Sequence, residues 1–165
     1  DTDGNFVTLN HFPKPKGYLV MFICNHCPYV VHLKKHLAQT TSEFINQGIA
    51  VFGINSNDVA NYPEDHPDKM KLDKNSFHYS FPYLFDEFQK VAKDFKAQKT
   101  PHAFVIWKEN DKWVIKYNGA IDDNGAEPDH VTKPYVADAV DQLLAGKEIA
   151  VKETKSIGCQ VILRK

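Results

Sequence analysis

The sequence has few cysteines, no surplus of either charge and no long apolar run. Its 165 residues include 20 basic and 21 acidic side chains, which gives a formal net charge of -1. This balance lacks the electrostatic surface typical of proteins that bind nucleic acids or anionic membranes, so we expect neither as a partner. No apolar run approaches the roughly 18 to 20 residues that a membrane-spanning helix needs. We therefore expect a soluble protein.

Three cysteines are too few, and odd in number, for a disulfide scaffold. This favours a reducing compartment or a working thiol pair, and we expect a cytoplasmic location.

The chain begins at Asp1 without a methionine or a targeting signal, so we expect that a segment was removed or the chain trimmed. With 42% hydrophobic residues, residues 1–165 are expected to form a single domain. Residues 147–165 would be a C-terminal extension packed on it.

The apolar pattern predicts alternating strands and helices. Runs at 18–23 and 49–54 are typical of strands covered on both faces, and the 3.6-residue spacing from Val30 to Ile45 predicts a helix between them. Parallel strands joined in this way form a right-handed βαβ unit. Further predictions are an edge strand at 6–9, a weak helix at 63–75, an extended piece at 81–85, a helix after a capping box at 86–89, a hairpin at 103–117 around a polar link, a loop at 122–125 and a helix at 134–145.

The stretch Cys24-Asn25-His26-Cys27 follows the first buried strand directly. A cysteine at a strand–helix junction lies near backbone N–H groups that have no partner within the helix, and such positions lower thiol pKa values. We therefore expect Cys24 to be an attacking thiolate and Cys27, one turn on, to be the resolving thiol. A protonated His26 would favour the thiolate further, and Pro28 is tolerated in the first helical turn.

Two further interpretations of this pair are disfavoured. A Cys-x-x-Cys is half of many zinc sites, but the third cysteine, Cys159, stands alone and no second ligand pair follows. A purely structural disulfide is disfavoured because a two-residue loop removes little chain entropy. We expect no bound metal and no cofactor, since thiols carry exchange chemistry themselves.

The Cys-Asn-His-Cys-Pro-Tyr motif and the later Thr100-Pro101 together resemble the thioredoxin superfamily. More closely, the chain is similar to thioredoxin-like proteins of the alkyl hydroperoxide reductase/thiol-specific antioxidant group. The similarity covers nearly the whole chain. The other stretches that carry it are 54–58, 62–65, 81–86 and 156–159, which read INSND, YPED, FPYLFD and SIGC.

The resemblance implies a thioredoxin-like α/β fold: a central mixed sheet flanked by helices, an N-terminal edge strand or hairpin, and a helical insertion after the second core strand. It also implies that Pro101 is a cis-proline facing the dithiol. X-Pro bonds adopt cis at modest cost, and this proline precedes a strand. The exposed backbone of Thr100 beside it would pair with an extended substrate segment, so Asn25, His26, Pro28, Thr100 and Pro101 are expected to line and tune the groove.

The sequence departs from the related families at two positions. Peroxiredoxins resemble Pro-x-x-x-Thr-x-x-Cys, but the residue three before Cys27 is Cys24, which disfavours efficient peroxide reduction. The strand before Cys24 carries no carboxylate, so the base for Cys27 is unassigned. Asp58 is our candidate, although an ordinary turn-forming role explains this residue better. Cys159 is either a third redox thiol or, as we favour, a buried small hydrophobe beside Val161 and Ile162.

The favoured function is thiol–disulfide exchange through Cys24 and Cys27 by way of a mixed disulfide. The substrate would be a protein or small-molecule disulfide, with an external dithiol reductant or oxidant as the second partner. One alternative is a thiol-dependent peroxidase with a sulfenic acid on Cys24 or Cys27. Another is a non-catalytic binding module in which the groove beside Pro101 holds a partner or the thiols hold a metal.

Overall fold

The computed structural model describes residues 1–124 and 131–161. The strands are β1 (Gly17–Phe22), β2 (Ile49–Asn55), β3 (Tyr83–Phe85), β4 (Lys99–Thr100), β5 (His102–Glu109), β6 (Lys112–Gly119) and β7 (Cys159–Gln160). The helices are α1 (Pro28–Val31), α2 (Lys34–Asn46), α3 (Pro67–Phe77), α4 (Lys90–Phe95) and α5 (Tyr135–Leu144), with 3-10 turns at Leu9–His11 and Pro63–Asp65. In the described parts of the chain, no helix has the length and apolar character needed to cross a membrane.

A five-stranded sheet in the order β3-β2-β1-β5-β6 forms the centre, and β4 pairs separately with β7. Neighbours β1, β2 and β3 run parallel, whereas β5 is antiparallel to both β1 and β6. The predicted mixed sheet is therefore confirmed, and α1 and α2 connect β1 to β2 as the predicted βαβ unit.

Both faces of β1 are buried, as its apolar run predicts. Leu19 and Met21 belong to the larger core cluster, whereas Val20 and Phe22 belong to a cluster on the other face. Alternate side chains of a strand point to opposite faces of the sheet, so β1 is the strand around which both halves of the core pack. Its carboxyl end delivers Cys24 to the interior.

Three predicted elements are wrong in detail. The helix expected from Val30 to Ile45 is divided into α1 and α2 at residues 32–33. No strand forms at 6–9, where Phe6 is fully exposed. The capping box at 86–89 is absent: the Asp86 carboxylate accepts the N–H groups of residues 91 and 92, so α4 begins only at Lys90, and Phe88 is exposed.

The C-terminal segment runs back along β6. The N–H of Asn118 donates to the carbonyl of Lys152, and the N–H of Thr154 donates to the carbonyl of Asn118, each at 3.1 Å. Farther along, Val161 is buried. Gly125 of the predicted loop, and Ile162 with the rest of the predicted extension, lie outside the described residues.

Gly53 in β2 supplies the space that the core needs behind the first cysteine. A Cβ there would lie 2.5 Å from the Phe81 ring and 3.1 Å from Ile23 Cδ1. Overpacking of this kind costs about 1–3 kcal/mol, so Gly53→Ala should lower the free energy of unfolding by about that amount in urea denaturation. Gly146→Ala is the comparison without overpacking, since nothing lies within 4 Å there and its loss of stability measures only the cost of a side chain at positive φ. An unchanged midpoint for Gly53→Ala would contradict this packing.

Candidate redox site at the end of strand β1

The two cysteines of the motif lie on either side of the loop between β1 and α1. Cys24 is 1% exposed and Cys27 is fully buried. The Sγ of Cys24 accepts the backbone N–H of Cys27 at 3.3 Å. The loop therefore holds the first sulfur against the residue that carries the second.

Thr100 faces both sulfurs across the groove. Its hydroxyl oxygen lies 3.4 Å from the Sγ of Cys24, and its carbonyl oxygen lies 3.4 Å from the Sγ of Cys27. The peptide bond between Thr100 and Pro101 is cis, as the family resemblance implies. The end of β4 is thus the part of the chain that closes the dithiol from the side opposite the loop.

Cys159 is bonded to Cys27 in a disulfide that spans 132 positions of sequence, and Cys24 is the free thiol. The preferred expectation, an inert buried Cys159, is therefore wrong. The alternative expectation, that the C-terminal segment folds back to the groove, agrees with the observed position of Cys159. Pairing of β7 with β4 places Cys159 directly opposite Thr100, next to Cys27.

The expectation of a lowered pKa for Cys24 is also wrong in this disulfide-bonded state. The pKa of the Cys24 thiol is raised to about 11, mainly by burial and in smaller part by the negative charge of Asp65. Hydrogen bonds from the Thr100 hydroxyl and from the N–H groups of His26 and Cys27 lower the pKa, but they do not offset the loss of hydration. The adjoining helix is only four residues long and begins after Cys27 rather than after Cys24.

Asp65 is a fully buried acid beside this thiol that sequence reasoning missed. Its Oδ1 accepts the backbone N–H of Asn25 at 2.7 Å and the side-chain amide of Asn55 at 3.2 Å. Its Oδ2 accepts the side-chain amide of Asn57 at 2.9 Å and lies 2.5 Å from Nδ1 of His26. These contacts hold the carboxylate in one place.

His26 connects the buried acid to the surface. Its ring stacks on Tyr62 with centroids 4.8 Å apart and planes within 9° of parallel, and its side chain is 24% exposed. One atom each from Cys24, His26 and Asp65 lie within 4.8 Å of one another. The expectation of no bound metal stays a prediction, although both Asp65 oxygens are already engaged in hydrogen bonds.

Asn25 ties the loop to its surroundings. Its side-chain amide donates to the carbonyl of Glu64, its side-chain oxygen accepts the Tyr83 hydroxyl, and its backbone carbonyl accepts Lys34 Nζ, each at 2.9 Å. Pro28 occupies the first helical position and is exposed. Asn25 therefore positions the loop, whereas Pro28 begins the helix at the surface.

Asp58, the sequence candidate for a base, is bonded within its own turn. Its carboxylate accepts the N–H of Ala60 at 3.1 Å and the side-chain amide of Asn61 at 3.0 Å. The structure thus brings Asp65, rather than Asp58, together with the cysteine loop. The signal in the sequence was the stretch Tyr62-Pro63-Glu64-Asp65, one of those that carry the family resemblance.

The chain matches the AhpC/TSA family over residues 1–123. A hypothetical protein from Sinorhizobium meliloti 1021 is 35% identical, with a TM-score of 0.89 over 99% of this chain and 88% of that one. An uncharacterized conserved protein from Geobacillus kaustophilus is 36% identical, with a TM-score of 0.87 over 99% of this chain and 85% of that one. No curated protein matches the chain.

More distant structures support the fold alone. A thioredoxin-like protein solved in its oxidized form is 15% identical, with a TM-score of 0.66 over 87% of this chain and 88% of that one. The fold is thus thioredoxin-like, as the resemblance implies. The match to the AhpC/TSA family model, together with the closeness of Cys24 and Cys27, indicates a thiol redox function. The family match extends over most of the chain, and the protein belongs to the AhpC/TSA family.

Proposed function

We propose that this protein is a thiol–disulfide oxidoreductase that exchanges disulfides through Cys24 and Cys27 by way of a mixed disulfide. The observation that carries the proposal is a free thiol held beside a disulfide-bonded sulfur. Cys24 Sγ is fixed by the N–H of Cys27, and Cys27 itself is bonded to a third cysteine. A thiolate in this position attacks the neighbouring disulfide sulfur.

The exchange step needs no external oxidant, because one disulfide bond breaks as another forms. The Cys24 thiolate attacks the Sγ of Cys27, the bond from Cys27 to the captured sulfur breaks, and that sulfur leaves as a thiolate that takes up a proton. The product is a Cys24–Cys27 disulfide. An external dithiol then reduces it and is itself oxidised, which restores both thiols; the reverse sequence oxidises a substrate dithiol.

The geometry supports Cys27 as the residue that carries the substrate sulfur. The sequence predicts the opposite order, with Cys24 attacking the substrate first. Cys27, however, holds the sulfur of β7, and Cys24 is the thiol left to displace it. We therefore propose Cys27 as the capturing thiol and Cys24 as the displacing thiol.

The displacing thiol needs a proton acceptor in this site. With a pKa of about 11, only about one Cys24 thiol in ten thousand is ionised at pH 7. The Asp65 carboxylate, paired with His26, lies within 4.8 Å of the Cys24 sulfur, a distance over which one water can carry the proton. The partly exposed His26 ring provides the route to solvent.

The order of the two thiols is tested by trapping. In a Cys159→Ser background, Cys24→Ser should accumulate a mixed disulfide between Cys27 and a peptide disulfide, because the displacing thiol is missing. Cys27→Ser should not, and each change should slow reduction of insulin disulfides at least 100-fold. Intact-protein mass spectrometry identifies the adduct. The reverse pattern would establish the Cys24-first order, and adducts with neither variant would argue against exchange altogether.

Replacement of Asp65 distinguishes two roles for this residue: a general base for Cys24, or a charge that only raises the pKa of Cys24. Because the Asp65 charge raises the pKa of Cys24, Asp65→Asn should bring that pKa below about 11, as followed by the ¹³Cβ NMR shift of Cys24. The added thiolate alone would accelerate displacement. Loss of a general base costs 10²- to 10⁴-fold, so we expect displacement at pH 7 to slow and its rate to rise about tenfold per pH unit.

Asp58→Asn is the matched control, with both the pKa of Cys24 and the displacement rate expected to stay unchanged. His26→Gln serves as the second variant if Asp65→Asn does not fold, as checked by circular dichroism. Faster displacement in Asp65→Asn, in step with the lower pKa, would rule out the proposed proton transfer.

Thiol-dependent peroxide reduction is the second candidate, and the Cys27–Cys159 bond is the observation that favours it. Peroxide would oxidise the Cys27 thiolate to a sulfenic acid, and the Cys159 thiol would then condense with it to give this disulfide and water. Against this candidate, the threonine of the peroxiredoxin motif is replaced by Cys24.

Stopped-flow oxidation separates the two functions. We expect fully reduced protein to react with hydrogen peroxide no faster than a free thiol, while it exchanges with peptide disulfides. Cys24→Ser, which restores a hydroxyl three residues before Cys27, is the informative comparison. A peroxide reaction more than 1,000-fold faster than that of a free thiol would reverse our ranking.

A further inference from the structure

The segment from Glu153 to Val161, which we name the strap, occupies the edge of the chain that precedes the cis-proline. Its strand β7 pairs antiparallel with β4, with Cys159 opposite Thr100 and Gln160 opposite Lys99. The N–H of Val161 extends the pairing by donating to the carbonyl of Gln98 at 2.9 Å. The strap thus binds as an extended peptide binds to a free strand edge.

This register delivers a sulfur to the redox site. Cys159 lies opposite the residue whose hydroxyl and carbonyl contact Cys24 and Cys27, and its Cα is 6.0 Å from that of Cys27. The strap therefore has both properties expected of a bound disulfide substrate: backbone pairing at the edge and a cysteine joined to the capturing thiol.

Glycine before the cysteine is required by close backbone contact. A Cβ on Gly158 would lie 1.9 Å from the carbonyl oxygen of Thr100 and 2.7 Å from its carbonyl carbon. These are backbone atoms of β4 that lie beside Pro101, so they cannot turn away as a flexible side chain would. The position after the cysteine is different, because Gln160 is exposed.

The remainder of the strap is held by few contacts. The Thr154 hydroxyl accepts the N–H of Ala120 at 2.9 Å and lies 2.7 Å from the Tyr117 hydroxyl. Beyond it, Ile157 is 57% exposed, and the buried hydroxyl of Ser156 has no hydrogen-bond partner. An unpaired buried hydroxyl costs free energy, so the segment between Thr154 and β7 favours release once its disulfide opens.

We propose that the strap is a built-in substitute for substrate, and that the substrates are extended peptide segments in which glycine directly precedes the disulfide-bonded cysteine. This inference rests on the proposed exchange function. Such a segment would pair with residues 98–100 in the register of β7 and present its sulfur to Cys27. While the strap is in place, it covers the edge and occupies Cys27.

Release of the strap uses the same displacement as substrate turnover. Cys24 attacks Cys27, the Cys27–Cys159 bond breaks, and Cys159 leaves as a thiol after it takes up a proton. The protein contains one disulfide before and after the step, so no external oxidant or reductant is consumed. The exchange moves the disulfide from the strap to the Cys24–Cys27 pair and frees the edge. The external dithiol of the proposed cycle then reduces this pair, and Cys27 becomes a thiol that can capture a substrate disulfide.

The first experiment measures where the disulfide lies in the full chain. Wild type and Gly158→Ala are equilibrated in a glutathione redox buffer, alkylated and digested with trypsin, which separates Cys159 from the other two cysteines. We expect the ratio of Cys24–Cys27 to Cys27–Cys159 to rise at least tenfold in Gly158→Ala. Gln160→Ala, an exposed change in the same strap, is the control and should leave the ratio unchanged. An unaltered ratio in Gly158→Ala would overturn the steric requirement.

The second experiment tests recognition of an external segment. Full-length protein carrying Cys24→Ser and Cys159→Ser is mixed with a peptide matching residues 156–161, activated as a mixed disulfide with thionitrobenzoate, and with the same peptide carrying alanine in place of glycine. We expect Cys27 to capture the glycine peptide at least tenfold faster. Equal rates would overturn the strap proposal but leave exchange at Cys27 intact. No capture of either peptide or of glutathione disulfide would overturn the exchange function as well.

Discussion

The approach of Thr100 to the cysteines is the contact on which the site depends. One residue presents its hydroxyl to Cys24, its carbonyl to Cys27 and its backbone edge to Cys159. These three roles require the end of β4 to lie beside the carboxyl end of β1, an arrangement made by the pairing of β1 with β5 just beyond Pro101. The same contact helps to bury both sulfurs. It also leaves no room at β4 for a side chain at position 158, the residue before β7.

Burial holds the Cys24 thiol in a defined position, but it also makes the thiol harder to ionise. Burial disfavours the charged thiolate, which is why the pKa of Cys24 is raised to about 11. A chemical function in such a place needs an acceptor for the proton close at hand. Asp65 is the acceptor proposed above. Three N–H donors and the His26 ring hold its carboxylate in the interior, and the stacked His26 ring lies between that carboxylate and solvent.

The strap connects the redox state of the site to its accessibility. It is held by a two-residue ladder, a disulfide and the contacts of Thr154, whereas the central strands are buried on both faces. Local opening free energies are lowest where buried apolar contacts are few. In the proposed exchange, the disulfide therefore moves to the Cys24–Cys27 pair by release of a segment that is held less firmly than the central sheet, and the core is not disturbed.

The local apolar pattern was enough to predict the central sheet, the helices that flank it and the place of the two motif cysteines after the first buried strand. Buried strands read clearly as apolar runs, and the change of period after Pro28 marked the beginning of a helical segment, because these signals are local. Details failed where a tertiary contact competed: Asp86 caps α4 from farther back than a capping box does, and the helix after the motif is divided at residues 32–33. Long-range contacts instead set which sulfur is bonded, which acid is the neighbour of Cys24 and in which direction the pKa of that thiol is shifted. Those properties depend on residues up to 132 positions apart and on the loss of water around them, and neither is encoded in the spacing of a local motif.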